Sequence, residues 1–325
     1  MKLLCKAVAR SLLFSAVLAC GSASAVNLTV THWADGMYGA PFAVAVEKGY
    51  FKGAGVDVTG FITSKGGGTT VRNALAADIP YGEVALPAAI AAIKQGVKLT
   101  IVHGGVVSLA DNFWVALKDS PLKSIEDLAG KKLGYSSPKS VTDMVSTIAL
   151  SSRKLLDKVN RQTVGSLSSA YTALREGGVD VIYMTEPIYS REKDNLKIVF
   201  RSGDEIPHMT QTVGIVRTDY LKEHPETIKA IIEGRRKGVD YLLAHPEEGG
   251  DILARQYKMD PAITKAAIRN IMSAKRVYWS PGRLDYEGMD TMLKGLVLVK
   301  AIDEGPFDWK AIVNESLLPA DQRSN

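Results

Sequence analysis

Val56–Leu86 reads VDVTGFITSKGGGTTVRNALAADIPYGEVAL. Val56 to Ile62 reads as a strand, the run Ser64-Lys65-Gly66-Gly67-Gly68-Thr69-Thr70 opens a helix through about Ala77, and Tyr81 to Leu86 is a second short strand. Strand, glycine-rich turn, helix and strand make a βαβ unit, and such units stack into a mainly parallel sheet. The same alternation continues on both sides. Upstream, Leu28 to His32 is a strand and Ala40 to Val46 a helix closed by Lys48-Gly49, with Tyr50–Gly55 as a turn. Downstream, Pro87 starts an Ala-rich helix to about Gln95, and Leu99 to His103 is a further strand.

A second series begins after Asp111-Asn112. Phe113 to Leu117 is a strand, and Ser124 with Asp127 has capping-box spacing. Lys132 to Tyr135 is a strand running into Ser136–Ser140, with a helix from about Val141. Val164 begins another strand, Ser168 to Glu176 is helical, Val179 to Met184 is a strand ending at Thr185-Glu186-Pro187, and Ile198 to Phe200 is the last. Beyond that the chain reads as mostly helical, with Pro225, Pro246 and Pro261 each opening a helix and Tyr286 to Ile302 a fourth.

The 325 residues, 46% hydrophobic and 23% charged, exclude disorder and a disulfide-dense scaffold, and the length suggests about two domains. Lys2, Lys6 and Arg10, the apolar stretch Ser11–Cys20 and Ala23-Ser24-Ala25 have the layout of a cleavable signal peptide over residues 1–25. Beyond it 37 basic side chains face 35 acidic ones, a balance with no electrostatic footprint for nucleic acid. Both cysteines, Cys5 and Cys20, lie inside that segment, so a chain cleaved after Ala25 has neither a disulfide nor a cysteine nucleophile. The expected location is periplasmic; lipid anchoring at Cys20 is the alternative.

Enzyme signatures fail one by one. Lys65 precedes its glycines, where a P-loop needs Lys-Ser/Thr after them, and Val71 stands at the third small position of a dinucleotide fingerprint. The five histidines have no metal-ligand spacing, and there is no G-x-S-x-G elbow. No catalytic residue, metal or cofactor is expected.

What remains is a set of junctions between strand ends and helix starts, where unpaired N–H groups and the helix dipole attract anions. Gly67, Gly68, Thr69 and Thr70 form one; Ser136, Ser137, Ser140, Val141 and Thr142 form another. Trp33, Met37 and Tyr38 follow the first strand, where a ring either walls a pocket or fills the core. Leu86-Pro87 ends the third strand. Glu83, inside an apolar strand, and Glu186, beside Pro187, need partners, because an unpaired buried carboxylate costs several kcal/mol. Each either meets a ligand or pairs within the protein. The five junctions contain no Arg, which points to helix dipoles instead of salt bridges as an anion's partners.

Several stretches together resemble a known family. Val46–Val58 (VEKGYFKGAGVDV), Lys118–Gly134 (KDSPLKSIEDLAGKKLG), Gly177–Asp180 with Glu186-Pro187, and Tyr220–Glu226 (YLKEHPE) are similar to periplasmic solute-binding proteins for taurine, alkanesulfonates, nitrate and thiamine pyrimidines. The resemblance implies a type II periplasmic binding protein fold of two α/β lobes joined by two crossovers. Residues 26–112 with 214–325 would form one lobe and 113–213 the other, with the ligand between them at the junctions named above. It further implies a small-molecule ligand and, as partners, the permease and ATPase subunits of an ABC importer, with a monomeric binding protein. Where the family commonly has Asp before the third strand, this chain reads Ile79-Pro80-Tyr81-Gly82-Glu83, so substrate identity does not follow.

The expected function is therefore capture of a small organic anion, a sulfonate or aromatic carboxylate, by lobe closure. A pyrimidine-like heteroaromatic ligand is the alternative within that class, suggested by Trp33, Tyr38 and Glu186. An enzyme of thiamine-pyrimidine synthesis type on the same fold is the alternative outside it, although that branch's cysteine-rich motif has no counterpart beyond residue 25. A sensory subunit is a third.

Overall fold

The computed structural model describes residues 25–63 and 67–324. The expected signal segment, including Cys5 and Cys20, and the Ser64–Gly66 part of the glycine-rich junction lie outside the described residues. The described chain forms two mixed five-stranded sheets with helices on their faces. The first contains β1 (Val26–Val30), β2 (Val58–Ile62), β3 (Tyr81–Ala85), β4 (Leu99–Gly104) and β10 (Thr212–Arg217), in the order β2-β1-β3-β10-β4. The second contains β5 (Asn112–Leu117), β6 (Lys132–Tyr135), β7 (Asn160–Thr163), β8 (Val181–Thr185) and β9 (Leu196–Arg201), ordered β7-β6-β8-β5-β9.

Strand directions fix where the sheets face each other. In the first sheet β1, β2 and β3 run parallel, and β10 is antiparallel to both β3 and β4. In the second, β6, β7 and β8 run parallel, and β5 is antiparallel to β8 and β9. The chain leaves the first sheet at Gly104, the carboxyl end of β4, and enters the second at Asn112, which pairs with Thr185 at the carboxyl end of β8. It returns from Arg201 to Thr212, which pairs with Ala85 at the carboxyl end of β3. Both crossovers thus join the edges where the parallel strands end and their helices begin. In open α/β sheets that edge is where ligands gather. The architecture is the type II binding fold, two lobes with a cleft between them.

Most expected elements lie within one or two residues of their observed bounds, and two strands differ. β10 was expected to be part of a mostly helical region. It carries Gly214 at its centre, and glycine weakens a strand signal. The structure needs it: a Cβ there would lie 2.0 Å from Nε2 of buried His103 on neighbouring β4. β7 ends at Thr163, where the sequence reading began a strand at Val164. It is a short polar edge strand, so no buried face marks it. The turn expected at Tyr50 is a short helix, Tyr50–Gly53, and the capping box at Ser124 and Asp127 is present on a 3-10 turn.

Candidate functional site

Beneath the cleft the two crossovers are tied together. Gln211, in the returning crossover, donates from Nε2 to the Ser108 carbonyl at 2.7 Å and to Asp111 Oδ1 at 2.8 Å, both in the outgoing one. Its Oε1 accepts the Tyr38 hydroxyl at 2.8 Å. Next to it, Thr212 Oγ1 accepts from Val106 N at 2.7 Å and donates to Glu83 Oε1 at 2.8 Å. The other Glu83 oxygen accepts from Arg235 Nε at 2.6 Å, and Arg235 donates again to the Ser280 carbonyl at 2.6 Å. Glu83 is 0% and Arg235 1% exposed, so this is a fully buried pair with its carboxylate engaged on both oxygens.

Asp111 is buried too, and burial pushes its carboxyl up to about 6 against the lowering effect of Gln211. Its Oδ2 has no hydrogen-bond partner; the Tyr278 hydroxyl stands beside it but outside hydrogen-bonding geometry. Glu186, just past the end of β8, lies against the helix Pro261–Met272. Asn270 of that helix donates to Glu186 Oε1 at 2.7 Å, and Ser190 N donates to Oε2 at 3.1 Å. Burial raises the Glu186 carboxyl above its usual value while these bonds oppose the shift.

The walls of the cleft are more open. After β1 the backbone turns through two non-glycine residues with positive φ, His32 at 50° and Ala34 at 65°, a conformation concentrated at functional sites. Trp33 between them is half-buried, stacked on Phe61 at 3.9 Å and edge-on to Tyr257 at 5.2 Å. His32 keeps an exposed surface, yet desolvation pushes its imidazole below the usual value despite nearby Asp35.

After β2, the helix Gly67–Ala76 starts with Gly67 pressed so close to the helix Leu86–Lys94 that a Cβ would lie 2.9 Å from that of Ala88. Gly68 and Thr69 are exposed. Arg72 folds back along the helix and donates to Thr69 Oγ1 at 2.9 Å, with its other terminal nitrogen 3.7 Å from the space above Gly68. The junction stretches themselves contain no Arg, but Arg72, three residues after Thr69 on the same helix, reaches back to its first turn.

After β6, Ser140 caps the helix Val141–Ser152 by accepting from Asp143 N at 3.2 Å. Ser136, Ser140 and Thr142 join their hydroxyls in a ring, 2.9 Å for Ser136–Ser140, 2.8 Å for Ser136–Thr142 and 3.0 Å for Ser140–Thr142. Ser136 N also donates to Thr142 Oγ1 at 3.0 Å. Three hydroxyl protons serve three bonds, so the ring is internally satisfied. The first-turn amides of Val141 and Thr142 are the groups a helix leaves without an intrahelical acceptor. Ser137 is exposed at the same turn.

The candidate residues therefore separate by depth. Trp33, Gly67, Gly68, Thr69, Ser136, Ser137, Ser140 and Val141 retain surface at the junctions, and Thr70 and Thr142 are buried just behind them. Met37, Tyr38, Glu83, Leu86 and Pro87 lie in the buried layer below, where the Met37 carbonyl holds Trp279 Nε1 at 2.8 Å and Leu86 N bonds the Gln211 carbonyl at 2.9 Å. Glu186 is buried against Asn270 and Ser190. Sequence reasoning missed Arg72, whose contact is local and legible from its i, i+3 spacing to Thr69. It also missed Asp111, which no local pattern marks.

Comparison with known proteins agrees with this architecture. The profile of the family described as NMT1/THI5 like matches residues 37–249. A putative binding protein of Brucella abortus is 26% identical over 233 residues, covering 70% of each chain. A putative aliphatic sulfonates-binding protein of Bacillus subtilis is 23% identical over 290 residues, covering 85% of this chain and 86% of that one. Among solved structures, the periplasmic aliphatic sulphonate binding protein SsuA from Escherichia coli superposes with a TM-score of 0.72 at 13% identity, over 89% of this chain and 96% of its own. The desulfurization enzyme DSZB shares the fold, with a TM-score of 0.65 at 15% identity over 90% of this chain and 97% of its own. The fold alone thus carries both binding and catalysis, while both sequence relatives bear the description putative binding protein. With the profile spanning well over half of its residues, the chain belongs to the NMT1/THI5 like family and has the type II binding fold.

Proposed function

We propose that this protein captures a small organic anion of the sulfonate or aromatic carboxylate class between its lobes and delivers it to the permease and ATPase subunits of an ABC importer. The lobes in this reading are residues 26–112 with 214–325 and residues 113–213, acting as a monomer in the periplasm after removal of a signal peptide. The observation that carries the ligand class is Arg72 folded over the first turn of its own helix. A cation at a helix N-terminus opposes the helix dipole, and an anion bound there reverses that cost. Thr69 and Gly68 leave this corner accessible. Across the cleft, Ser137 and the first-turn amides of Val141–Ser152 supply neutral donors.

A ligand that touches both junctions bonds fully only when the lobes meet, and it stabilises the closed form by that differential affinity. Closure, not chemistry, is then the output that a transporter reads. The role is binding without turnover: the buried acids Glu83, Asp111 and Glu186 are engaged with Arg235, Gln211 and Asn270 beneath the site.

A heteroaromatic ligand is the second reading, favoured by the half-buried Trp33 ring beside the first junction. A thermal-shift screen of ethanesulfonate, benzoate, nitrate and an aminopyrimidine against the purified protein separates the two. A ligand at 100 times its Kd adds about 2.7 kcal/mol to stability. Stabilisation by ethanesulfonate or benzoate supports the first reading; stabilisation by the aminopyrimidine alone replaces it with the second.

A further inference from the structure

The C-terminal segment passes between the lobes beside the two crossovers. Tyr278–Leu284 runs along the outgoing crossover: Val107 N donates to the Tyr278 carbonyl at 2.9 Å, Ser280 N to that of Gly105 at 2.8 Å, and Gly104 N to that of Gly282 at 2.8 Å. The helix Tyr286–Leu298 follows. Its start is tied to the returning crossover, where Thr210 N donates to the Gly288 carbonyl at 3.1 Å and Thr210 Oγ1 to that of Asp285 at 3.2 Å. Its body lies on the second lobe's helix Val141–Ser152. Met289, Met292 and Leu296 share one buried apolar cluster with Met144. The chain then returns to the first sheet, where Ile101 N donates to the Ile312 carbonyl at 2.8 Å and Asn314 N to that of Ile101 at 2.8 Å.

The contact is closest at Gly295. A Cβ there would lie 3.0 Å from Met144 Cβ, 3.1 Å from Ile148 Cδ1 and 3.2 Å from Met144 Sδ. Met144 is one turn from Ser140 and two residues from Thr142 on the helix whose start forms the second-lobe junction.

We propose that the helix Tyr286–Leu298 is a positioning element for ligand capture, with Gly295 setting how closely the Val141–Ser152 helix, and so the Ser136–Thr142 junction, rests against the first lobe. The proposal rests on the cleft reading above but not on the ligand's class. A helix held at one end by the returning crossover and along its body by Met144 must move with one or slide over the other whenever the lobes open. Methionines suit a sliding contact, being unbranched and adaptable in packing. Packed interfaces of this kind hold discrete arrangements instead of deforming continuously.

The test is a ligand-free distance measurement between spin labels at Asp78→Cys and Lys158→Cys, exposed positions on the two lobes, with Cys5→Ser and Cys20→Ser removing the other thiols. Gly295→Leu should shift the interlobe distance distribution to longer values by several ångström, and adding Met144→Ala, which vacates the space, should restore it. An unchanged distribution in a folded Gly295→Leu protein overturns the proposal, as does a shift that Met144→Ala fails to reverse. Should Gly295→Leu not fold, Gly295→Ala carries the same test, because its methyl asks Met144 to give by only a few tenths of an ångström. A smaller shift in the same direction then supports the proposal, and no shift overturns it. No ligand enters the measurement, so an error in the ligand class leaves its outcome untouched.

Discussion

The junctions at Gly67–Thr70 and Ser136–Thr142 occupy corresponding places, each between a strand end and a helix start on its own sheet, yet they are built differently. The first is glycine-rich, exposed and charged, with Arg72 bent over it. The second is an uncharged ring of hydroxyls that satisfies itself. The contrast assigns them different work. An exposed guanidinium on a long side chain attracts a ligand and tolerates variation in its position, whereas a pre-bonded ring accepts only a partner that offers better bonds than the ring already makes. Below both lies a third region, the hinge base, where buried polar groups hold the crossovers and make no claim on a ligand.

The largest effect should come from that base. Glu83→Ala leaves Arg235 buried without its carboxylate, and losing one partner of a buried pair costs about 3–5 kcal/mol. Chemical denaturation should register that loss; a change below about 1 kcal/mol would show that the pair is not what holds the hinge.

Asp111 makes a comparable prediction against pH. Its folded-state value near 6 lies above the 3.8 of a free carboxyl, so the folded protein holds the proton more tightly than the unfolded chain. Stability from this group is full below pH 4 and falls as pH rises through 6, by up to about 3 kcal/mol for a shift of this size. Asp111→Asn should flatten the decline between pH 4 and 6, and a decline of unchanged slope would put its source elsewhere.

Arg72→Gln probes the charged junction. Loss of one charge-assisted hydrogen bond, about 1.5–3 kcal/mol, should weaken anion binding roughly tenfold to a hundredfold and leave melting of the ligand-free protein almost unmoved. If affinity holds, the first junction does not recognise charge. Ser140→Ala should act less on the ligand and more on the helix, lowering stability by about 0.5–2 kcal/mol through loss of its cap. A greater effect on affinity from Ser140→Ala than from Arg72→Gln would invert the division of labour proposed for the two junctions.

The fold was legible because βαβ units leave a repeating mark, and because strand–helix junctions carry the small and hydroxylated residues that their geometry requires. Gly214 hid β10: the glycine that weakens the strand signal makes room for His103, a contact from another strand that no local pattern contains. The polar edge strand β7 was displaced because it buries no face. In the cleft, the junction residues could be named from sequence, but their depth could not. Tyr38 reads equally as a pocket wall and as core until Gln211, 173 residues away, is seen to hold its hydroxyl. Glu83 and Arg235 are separated by 152 residues, so their pairing belongs to the fold alone.

A crystal structure of the protein with the most stabilising compound from the screen tests the central claim most directly. The account predicts an anionic group within hydrogen-bonding distance of Arg72 or Thr69 on one side and of the Ser136–Thr142 turn on the other. A ligand held by one lobe alone, or bound outside the cleft between the two sheets, would contradict it.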